Sequence, residues 1–326
     1  MAVYTAVPAE ALAIFLERYD CGQLVSEKGI AEGVENSNYL VETTGHDGSG
    51  HRYILTLYEK RVDPADLPFF IGLLDHLGAR GCRVPLFIAD RAGKRLQELC
   101  GRPACLIEFL TGVSVTEPTP GQAYAAGQAM AEMHRAASDF GGSRPNSLGI
   151  AGWAPLARSC GDGLNGIAPG LEDRVGQELA HLESAWPHQL PHSVIHADLF
   201  PDNVLMLGEQ VTGLIDFYFS CTDIRAYDLA IMHGAWCFAA GGEAYHRDRG
   251  EALAAGYQSV LPLSADERAG FATLCRGAAL RFLLTRAYDW INTPAGAIVT
   301  RKDPLAYLRR LDFYAGADAA MLLGAA

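Results

Sequence analysis

One stretch of sequence decides the fold: Ser193-Val-Ile-His196-Ala-Asp198-Leu-Phe-Pro-Asp-Asn203-Val-Leu-Met-Leu, followed by Val211-Thr-Gly-Leu-Ile215-Asp216-Phe217. The pattern predicts a strand that leads into a tight polar loop and a second strand that leaves this loop. A hairpin then delivers Asp216 at the end of a third strand. This order brings Asp198, Asn203 and Asp216 together at one loop edge.

These residue types suit phosphoryl transfer. Magnesium takes hard oxygen ligands and leaves several positions to phosphates and water. Asp216 and Asn203 can therefore anchor the metal, whereas Asp198 can orient the attacking hydroxyl. Asp and Asn are commonest in loops as turn formers and caps, so their spacing alone would mean little. The coincidence of that spacing with His196 and the hairpin favours a kinase.

Composition and charge restrict the function classes. The chain has 326 residues, which predicts two lobes because single cores stop growing at about 250 to 300 residues. Its formal charge of -12 disfavours nucleic acid and anionic membranes as partners. No apolar run approaches the ~20 residues of a membrane span, so we expect a cytoplasmic protein. The eight cysteines are scattered singly and are given no function.

The element pattern changes along the chain. Residues 1–110 predict a small, mostly antiparallel sheet that carries one helix, and residues 111–326 predict a mainly helical lobe. The first region contains five strand candidates: Gln23–Lys28, Tyr39–Val41, Tyr53–Tyr58, Val84–Ile88 and Ala104–Leu110. The second contains helix candidates at Ala123–Met133, Leu171–Trp186, Phe271–Asn292 and Ala306–Leu323, with loose connections over Gly141–Gly170.

Two further polar residues suggest structural roles. His134 falls at the end of a predicted helix, where a capping or helix-dipole role is the default. Asp228 precedes an apolar helical run and is expected to cap that helix and to brace the loop that carries Asp198 and Asn203, the predicted catalytic loop.

At this point the sequence resembles a known family. His196-x-Asp198-x-x-x-x-Asn203 with Ile215-Asp216-Phe217 resembles the motifs of the aminoglycoside phosphotransferase and choline kinase group, relatives of the protein kinases. Stretches spread over nearly the whole chain are similar to the bacterial homoserine kinases of this fold. They are Gly29-Ile-Ala-Glu-Gly33-Val-Glu-Asn-Ser-Asn38-Tyr, Tyr53-Ile-Leu-Thr-Leu-Tyr-Glu-Lys-Arg61, His196-Ala-Asp-Leu-Phe-Pro-Asp-Asn203, Leu214-Ile-Asp-Phe-Tyr-Phe219 and Ala279-Leu-Arg-Phe-Leu-Leu-Thr-Arg286.

The resemblance implies an α+β, two-lobed, protein-kinase-like fold that phosphorylates the side-chain hydroxyl of L-homoserine, a step toward threonine. ATP and Mg²⁺ would be required, with Asp198 as catalytic base and Asn203 and Asp216 as metal ligands. The loop from Gly29 to Asn38 would cover the phosphates, and Glu108–Leu110 would connect the lobes and meet adenine. The nucleotide-binding candidates are Lys28, Gly29, Gly33, Asn36, Ser37, Asn38, Glu108, Phe109 and Leu110.

One position departs from the family pattern. Thr56 stands in strand three where related phosphotransferases carry a basic residue that binds phosphate. Lys28, at the end of strand one beside the glycine-bearing loop, is the better candidate for that role.

A pocket selective for homoserine needs a fixed cation for its carboxylate and an acidic or carbonyl group for its ammonium. Arg281 and Arg286 are the cation candidates, but about 140° separates them on a helix, so we do not expect both to face one small pocket. Asp223, Tyr227 and Asp289 are candidates for the amine or the hydroxyl. Two alternatives stay open: a phosphotransferase for an aminoglycoside, choline or a sugar, and a pseudokinase without turnover.

Overall fold

A computed structural model describes residues 4–30, 36–45, 47–59, 63–293 and 301–324, so the predicted site residue Gly33 lies outside the described residues. The chain divides into two compact units, Met1–Thr111 and Gly112–Ala326. Among the described helices of either unit, none combines the length and the apolar character needed to cross a membrane.

The described part of the first unit is a five-stranded antiparallel sheet in the order β1-β2-β3-β5-β4, accompanied by two helices. In β2 the buried and less buried side chains alternate, as expected for a strand with one face on a core. Leu12 and Phe15 of α1 pack with Val41 and Leu55 of the sheet to form that core. The elements are α1 Ala9–Leu16, β1 Gln23–Gly29, β2 Ser37–Thr44, β3 Gly50–Leu57, α2 Leu67–Ala79, β4 Gln97–Leu99 and β5 Arg102–Glu108.

The strand predicted at Val84–Ile88 is wrong. This segment runs beside β5 but makes only an isolated bridge, between Phe87 and Ile107. Pro85 contributes to the difference because it has no N–H to donate to a ladder. The short strand β4, which the sequence analysis missed, pairs with the start of β5 instead.

The described part of the second unit is mainly helical and contains two small antiparallel strand pairs, β6 with β9 and β7 with β8. Its longest helix, α9, begins after a capping box made by Ser264 and Glu267. The elements are α3 Pro120–Ala137, α4 Ile150–Cys160, α5 Gly163–Ile167, α6 Leu171–Ala185, β6 His192–Ile195, β7 Val204–Leu207, β8 Gln210–Leu214, β9 Cys221–Ile224, α7 Arg225–Trp236, α8 Arg247–Val260, α9 Ala265–Asn292, α10 Leu305–Ala315 and α11 Ala319–Leu323.

Two expectations about this unit are corrected. The region read as loose connections contains α4 and α5, because the buried Trp153 of α4 packs edge-on against Trp186 at 5.0 Å between ring centroids. Such packing outweighs the low helix propensity of the Pro and Gly residues nearby. The helix predicted over Ala306–Leu323 is two helices, and Asp318 caps the second by accepting a hydrogen bond from the Met321 N–H.

Candidate active site

Two loops carry the three residues that the sequence singles out. The first follows β6 and contains Asp198 and Asn203, and the second follows β8 and contains Asp216. The Ile215 N–H donates to the Asn203 carbonyl at 3.0 Å, and the His196 Nε2 donates to the Ile215 carbonyl at 3.0 Å. The two loops are therefore tied together through the N–H and the carbonyl of Ile215, the residue before Asp216.

A hydrogen bond joins Asp198 and Asn203. The Asn203 amide Nδ2 donates to the Asp198 carbonyl oxygen at 2.8 Å and lies 3.4 Å from its Oδ2. This use of the nitrogen leaves the Asn203 Oδ1 as the atom available to a hard cation. Within the described residues no three His, Cys, Asp or Glu side chains are grouped to hold a metal. An Asp and an Asn oxygen still fit magnesium that is bound together with phosphates.

The backbone is strained on both sides of this pair. Ala197 and Asp216 are left-handed, with φ of 64° and 66°. A non-glycine residue in this conformation costs about 1–3 kcal/mol and persists only where its surroundings enforce it. At Ala197 the surroundings hold both peptide groups: Asp228 accepts from its N–H at 2.8 Å, and Arg281 Nη1 donates to its carbonyl at 2.6 Å.

Asp228 is the buried centre of this support. Its Oδ1 accepts from the Ala197 N–H, and its Oδ2 accepts from the His196 N–H at 2.8 Å and from the His134 Nε2 at 2.9 Å. The other His134 ring nitrogen pairs with the Tyr257 hydroxyl at 2.9 Å. Burial raises the pKa of Asp228, but the hydrogen bond and charge of His134 outweigh burial and leave that pKa below its usual value.

These contacts revise two expectations. Asp228 braces the catalytic loop as expected, but it lies in the first turn of α7 and makes no helix cap, since the residue at the N-cap is Ile224. The expectation that His134 caps a helix is wrong, because its ring is buried in the Asp228 network.

Carboxyl groups dominate the electrostatics around the catalytic loop. Loss of hydration raises the pKa of Asp198 well above its usual value; Arg281 and Lys302 oppose the rise, and the Asp216 and Asp202 charges add to it. Loss of hydration and then the Asp202 charge raise the pKa of Asp216 to about 6. Asp216 is exposed, so solvent screens part of this effect. Such a site favours a bound cation.

The arginine candidates differ in environment. Arg281 is buried, donates to Ala197, and lies with its guanidinium carbon 4.6 Å from the Phe282 ring centroid. Arg286 is half-buried and stacks on Tyr307 at 4.5 Å, while its Nη1 donates to the Asp303 carbonyl at 3.2 Å. Arg281 therefore supports the catalytic loop through its hydrogen bond to the Ala197 carbonyl, whereas Arg286 keeps some solvent access.

The remaining substrate candidates have different local surroundings. Tyr227 is fully buried beside Trp186, at 5.5 Å between ring centroids, which favours a packing role. Asp223 accepts from the Asn146 Nδ2 at 2.7 Å and from the Ile224 N–H at 2.7 Å, so both its oxygens are used locally. Asp289 lies exposed near the end of α9.

The nucleotide candidates in the first unit lie along β1 and β2. Lys28 is exposed on β1 opposite Leu40, and Gly29 ends that strand. Ser37 is buried, with its hydroxyl donating to Glu59 at 2.8 Å, and the Asn36 Oδ1 faces the Glu59 N–H at 3.4 Å. Ser37 and Asn36 therefore hold the start of β2 against Glu59.

The contacts of Thr56 show what this residue does at the position where the family pattern has a basic residue. It lies opposite Asn38 in the β2–β3 ladder, is buried, and donates its hydroxyl to the Asn38 Oδ1 at 2.8 Å. A neutral, paired hydroxyl cannot neutralise phosphate.

The segment expected to meet adenine follows β5. Glu108 is exposed at the strand end, and its N–H donates to the Leu86 carbonyl at 2.9 Å. The Arg52 guanidinium stacks on the Phe109 ring at 4.4 Å, and Leu110 is half-buried.

Sequence reasoning missed Lys302. Its ammonium lies 5.7 Å from the ring centroid of Phe200, within the loop that joins Asp198 to Asn203. One signal was available in the sequence, since Lys302 is the only lysine between residues 112 and 326.

Comparisons with known proteins show the family and the fold of the chain. Residues 26–263 match the sequence profile of the phosphotransferase enzyme family. The homoserine kinase of Xanthobacter autotrophicus is 53% identical over 326 residues, covering 100% of both chains. That of Methylobacterium nodulans is 54% identical over 314 residues, covering 96% of each. The structure of amicoumacin kinase hAmiN in complex with AMP-PNP, Ca²⁺ and Ami has a TM-score of 0.70 at 16% identity, covering 95% of this chain and 94% of that one, which shows a shared fold.

Proposed function

The chain belongs to the phosphotransferase enzyme family, and on that premise we propose that it acts as a homoserine kinase, transferring a phosphoryl group from ATP to the side-chain hydroxyl of L-homoserine. The observation that carries the proposal is the pairing of Asp198 with Asn203 on a loop bonded to the backbone beside Asp216. The full-length similarity to homoserine kinases supports this choice of substrate.

Each residue of this set has one role. Asp198 accepts a hydrogen bond from the homoserine hydroxyl and orients it, and the raised pKa of its carboxyl suits it to accept the proton. The homoserine oxygen forms a bond to phosphorus, the bond from phosphorus to ADP breaks, and the proton passes to Asp198. Asn203 Oδ1 and Asp216 would hold Mg²⁺, which neutralises phosphate charge when it is bound.

Charged side chains suit both ends of the substrate, its ammonium group and its carboxylate. The carboxylates of Asp198, Asp202 and Asp216 attract the ammonium group of homoserine. Arg286, which is half-buried on Tyr307, is the arginine that we assign to the substrate carboxylate. The candidates for nucleotide binding in the first unit remain as predicted from the sequence.

The test is coupled ADP release with L-homoserine, L-serine, L-threonine, choline and kanamycin, each measured with magnesium and with excess chelator. We expect release to require magnesium and to be greatest with L-homoserine. Turnover of choline or kanamycin without turnover of homoserine would overturn the substrate and leave the kinase class intact. No turnover with any acceptor would favour a nucleotide-binding module without catalysis.

A further inference from the structure

Lys302 reaches the catalytic loop from a distant part of the chain. It lies just before α10 and is exposed, with its ammonium over Phe200. Phe200 packs edge-on against Phe282 at 4.9 Å, and Phe282 packs against Tyr307 of α10 at 5.1 Å between ring centroids. This row of three rings links the Lys302 segment to the loop that carries Asp198.

The other cations around these rings already have partners. Arg281 donates to the Ala197 carbonyl, Arg286 donates to the Asp303 carbonyl, and Arg310 donates to the Ala306 carbonyl at 2.9 Å. In the part of the chain that the structure describes, no hydrogen bond or ion pair holds the Lys302 ammonium. Among these four cations, Lys302 is therefore the one whose charged group makes no hydrogen bond to the described residues.

The charge of Lys302 acts on both key carboxylates. Loss of hydration raises the pKa of Asp198 and of Asp216, and the positive charge of Lys302 opposes the rise in each case. Its field thus covers the acid that orients the acceptor and the acid assigned to the metal. In a phosphotransferase the phosphoryl group is transferred from the metal-bound nucleotide to the acceptor hydroxyl, so it passes between these two acids.

The transferred phosphoryl group needs positive charge, because its transition state spreads negative charge over three oxygens. Position 56 of strand three supplies none, since Thr56 is neutral and bonded to Asn38. Arg52 of the same strand stacks on Phe109 instead. A lysine ammonium is a compact charge with three donors and suits phosphate oxygens, whereas an arginine fork suits a carboxylate.

We propose that Lys302 is a further catalytic residue, which binds the oxygens of the transferring γ-phosphoryl group from the side of the loop formed by Asp198, Phe200 and Asn203. The proposal rests on the proposed function for its phosphoryl donor. It goes beyond that function by assigning the cation that position 56 of strand three lacks.

The first experiment measures binding without turnover. Calorimetry with magnesium compares AMP-PNP and ADP on the unmodified protein, on Lys302→Met and on Lys302→Arg. We expect Lys302→Met to weaken AMP-PNP about 10-fold or more and to leave ADP within about 2-fold, because only AMP-PNP has a γ-phosphoryl group. Lys302→Arg should lose less AMP-PNP affinity than Lys302→Met. Lys94→Met, at another exposed lysine, is the matched control and should change neither affinity.

The second experiment separates the γ-phosphoryl group from the substrate carboxylate. With homoserine, Lys302→Met should lower kcat about 100-fold and leave the homoserine KM within a few-fold. If Lys302 held the carboxylate instead, the homoserine KM would rise, and the preference for homoserine over 3-amino-1-propanol, which lacks the carboxylate, would collapse.

A raised homoserine KM together with a lost preference over 3-amino-1-propanol would overturn the proposal. An equal loss of AMP-PNP and ADP affinity, or no loss of either, would overturn it as well. If the unmodified protein fails to phosphorylate homoserine, the proposed function fails, while the nucleotide comparison still decides the role of Lys302.

Discussion

Replacing Asp228 with Asn tests how the catalytic loop is held. The substitution keeps the shape of the side chain but exchanges one acceptor oxygen for an NH₂ group. The carboxylate receives three hydrogen bonds, from the Ala197 N–H and the His196 N–H at 2.8 Å each and from the His134 Nε2 at 2.9 Å. Whichever way the amide turns, its nitrogen faces at least one backbone N–H.

The magnitude follows from the better of the two amide orientations. With the amide nitrogen toward Ala197, one buried N–H loses its acceptor, at a cost of about 1–3 kcal/mol. The remaining bonds from His196 and His134 lose the charge that strengthens them. We expect a total loss of about 2–4 kcal/mol from the free energy of unfolding, which overlaps the ~3–5 kcal/mol typical of breaking a buried charged pair. Against a total of about 5–15 kcal/mol, the variant stays folded.

Tryptophan fluorescence during urea unfolding suits this measurement. All four tryptophans of the chain lie in residues 112–326, so the signal reports on the unit that contains Asp228. The control is Asp312→Asn, since Asp312 forms an exposed ion pair with Arg174 at 3.1 Å. That pair should contribute no more than about 1 kcal/mol.

Activity gives the second measurement on Asp228→Asn. We expect kcat to fall about 100-fold, because Asp198 follows directly after the two residues that lose their brace, and misplacement by about 1 Å can cost that much. An unchanged urea midpoint would refute the energetic argument. Lower stability with unchanged kcat would refute the link from Asp228 to catalysis.

The remaining predictions concern one catalytic and one structural carboxylate. Asp198→Asn should lower kcat at least about 100-fold and leave AMP-PNP affinity within a few-fold; unchanged turnover would remove Asp198 from the mechanism. Burial raises the pKa of Glu178, but hydrogen bonds from Arg276 and Arg174 outweigh it and hold that pKa below 4.5, so its stabilisation is present above about pH 4.5 and lost as pH falls through the folded-state pKa. The Tm difference between the unmodified protein and Glu178→Gln should therefore be greatest near pH 7 and shrink below about pH 4.5; a constant difference down to pH 3 would contradict this.

The parts of the site that sequence could predict are local ones. Asp198 and Asn203 lie on one loop, so their spacing already implies that they are close. The position of Asp216 follows from a hairpin with recognisable strands. The alternating burial of β2 likewise depends only on its own pattern of side chains.

What the sequence could not predict depends on distant partners. Helix α4 contains Pro155 and is stabilised by the packing of Trp153 on Trp186, which no local pattern encodes. The partners of His134 lie on α7 and α8, so its position at the end of α3 predicted only a capping or helix-dipole role. Lys302 meets Phe200 through a row of rings from three parts of the chain.

Burying charge beneath the catalytic loop is costly, and stability alone does not explain it. A buried ion pair rarely stabilises a fold more than packed apolar side chains of similar size would. Here two buried charges act on the same strained residue: Asp228 binds the N–H of Ala197, and Arg281 binds its carbonyl. Together they fix both peptide groups of a left-handed alanine directly before Asp198. A charged acceptor for the N–H and a charged donor for the carbonyl form stronger hydrogen bonds than neutral groups would, which accounts for the aspartate and the arginine in this core.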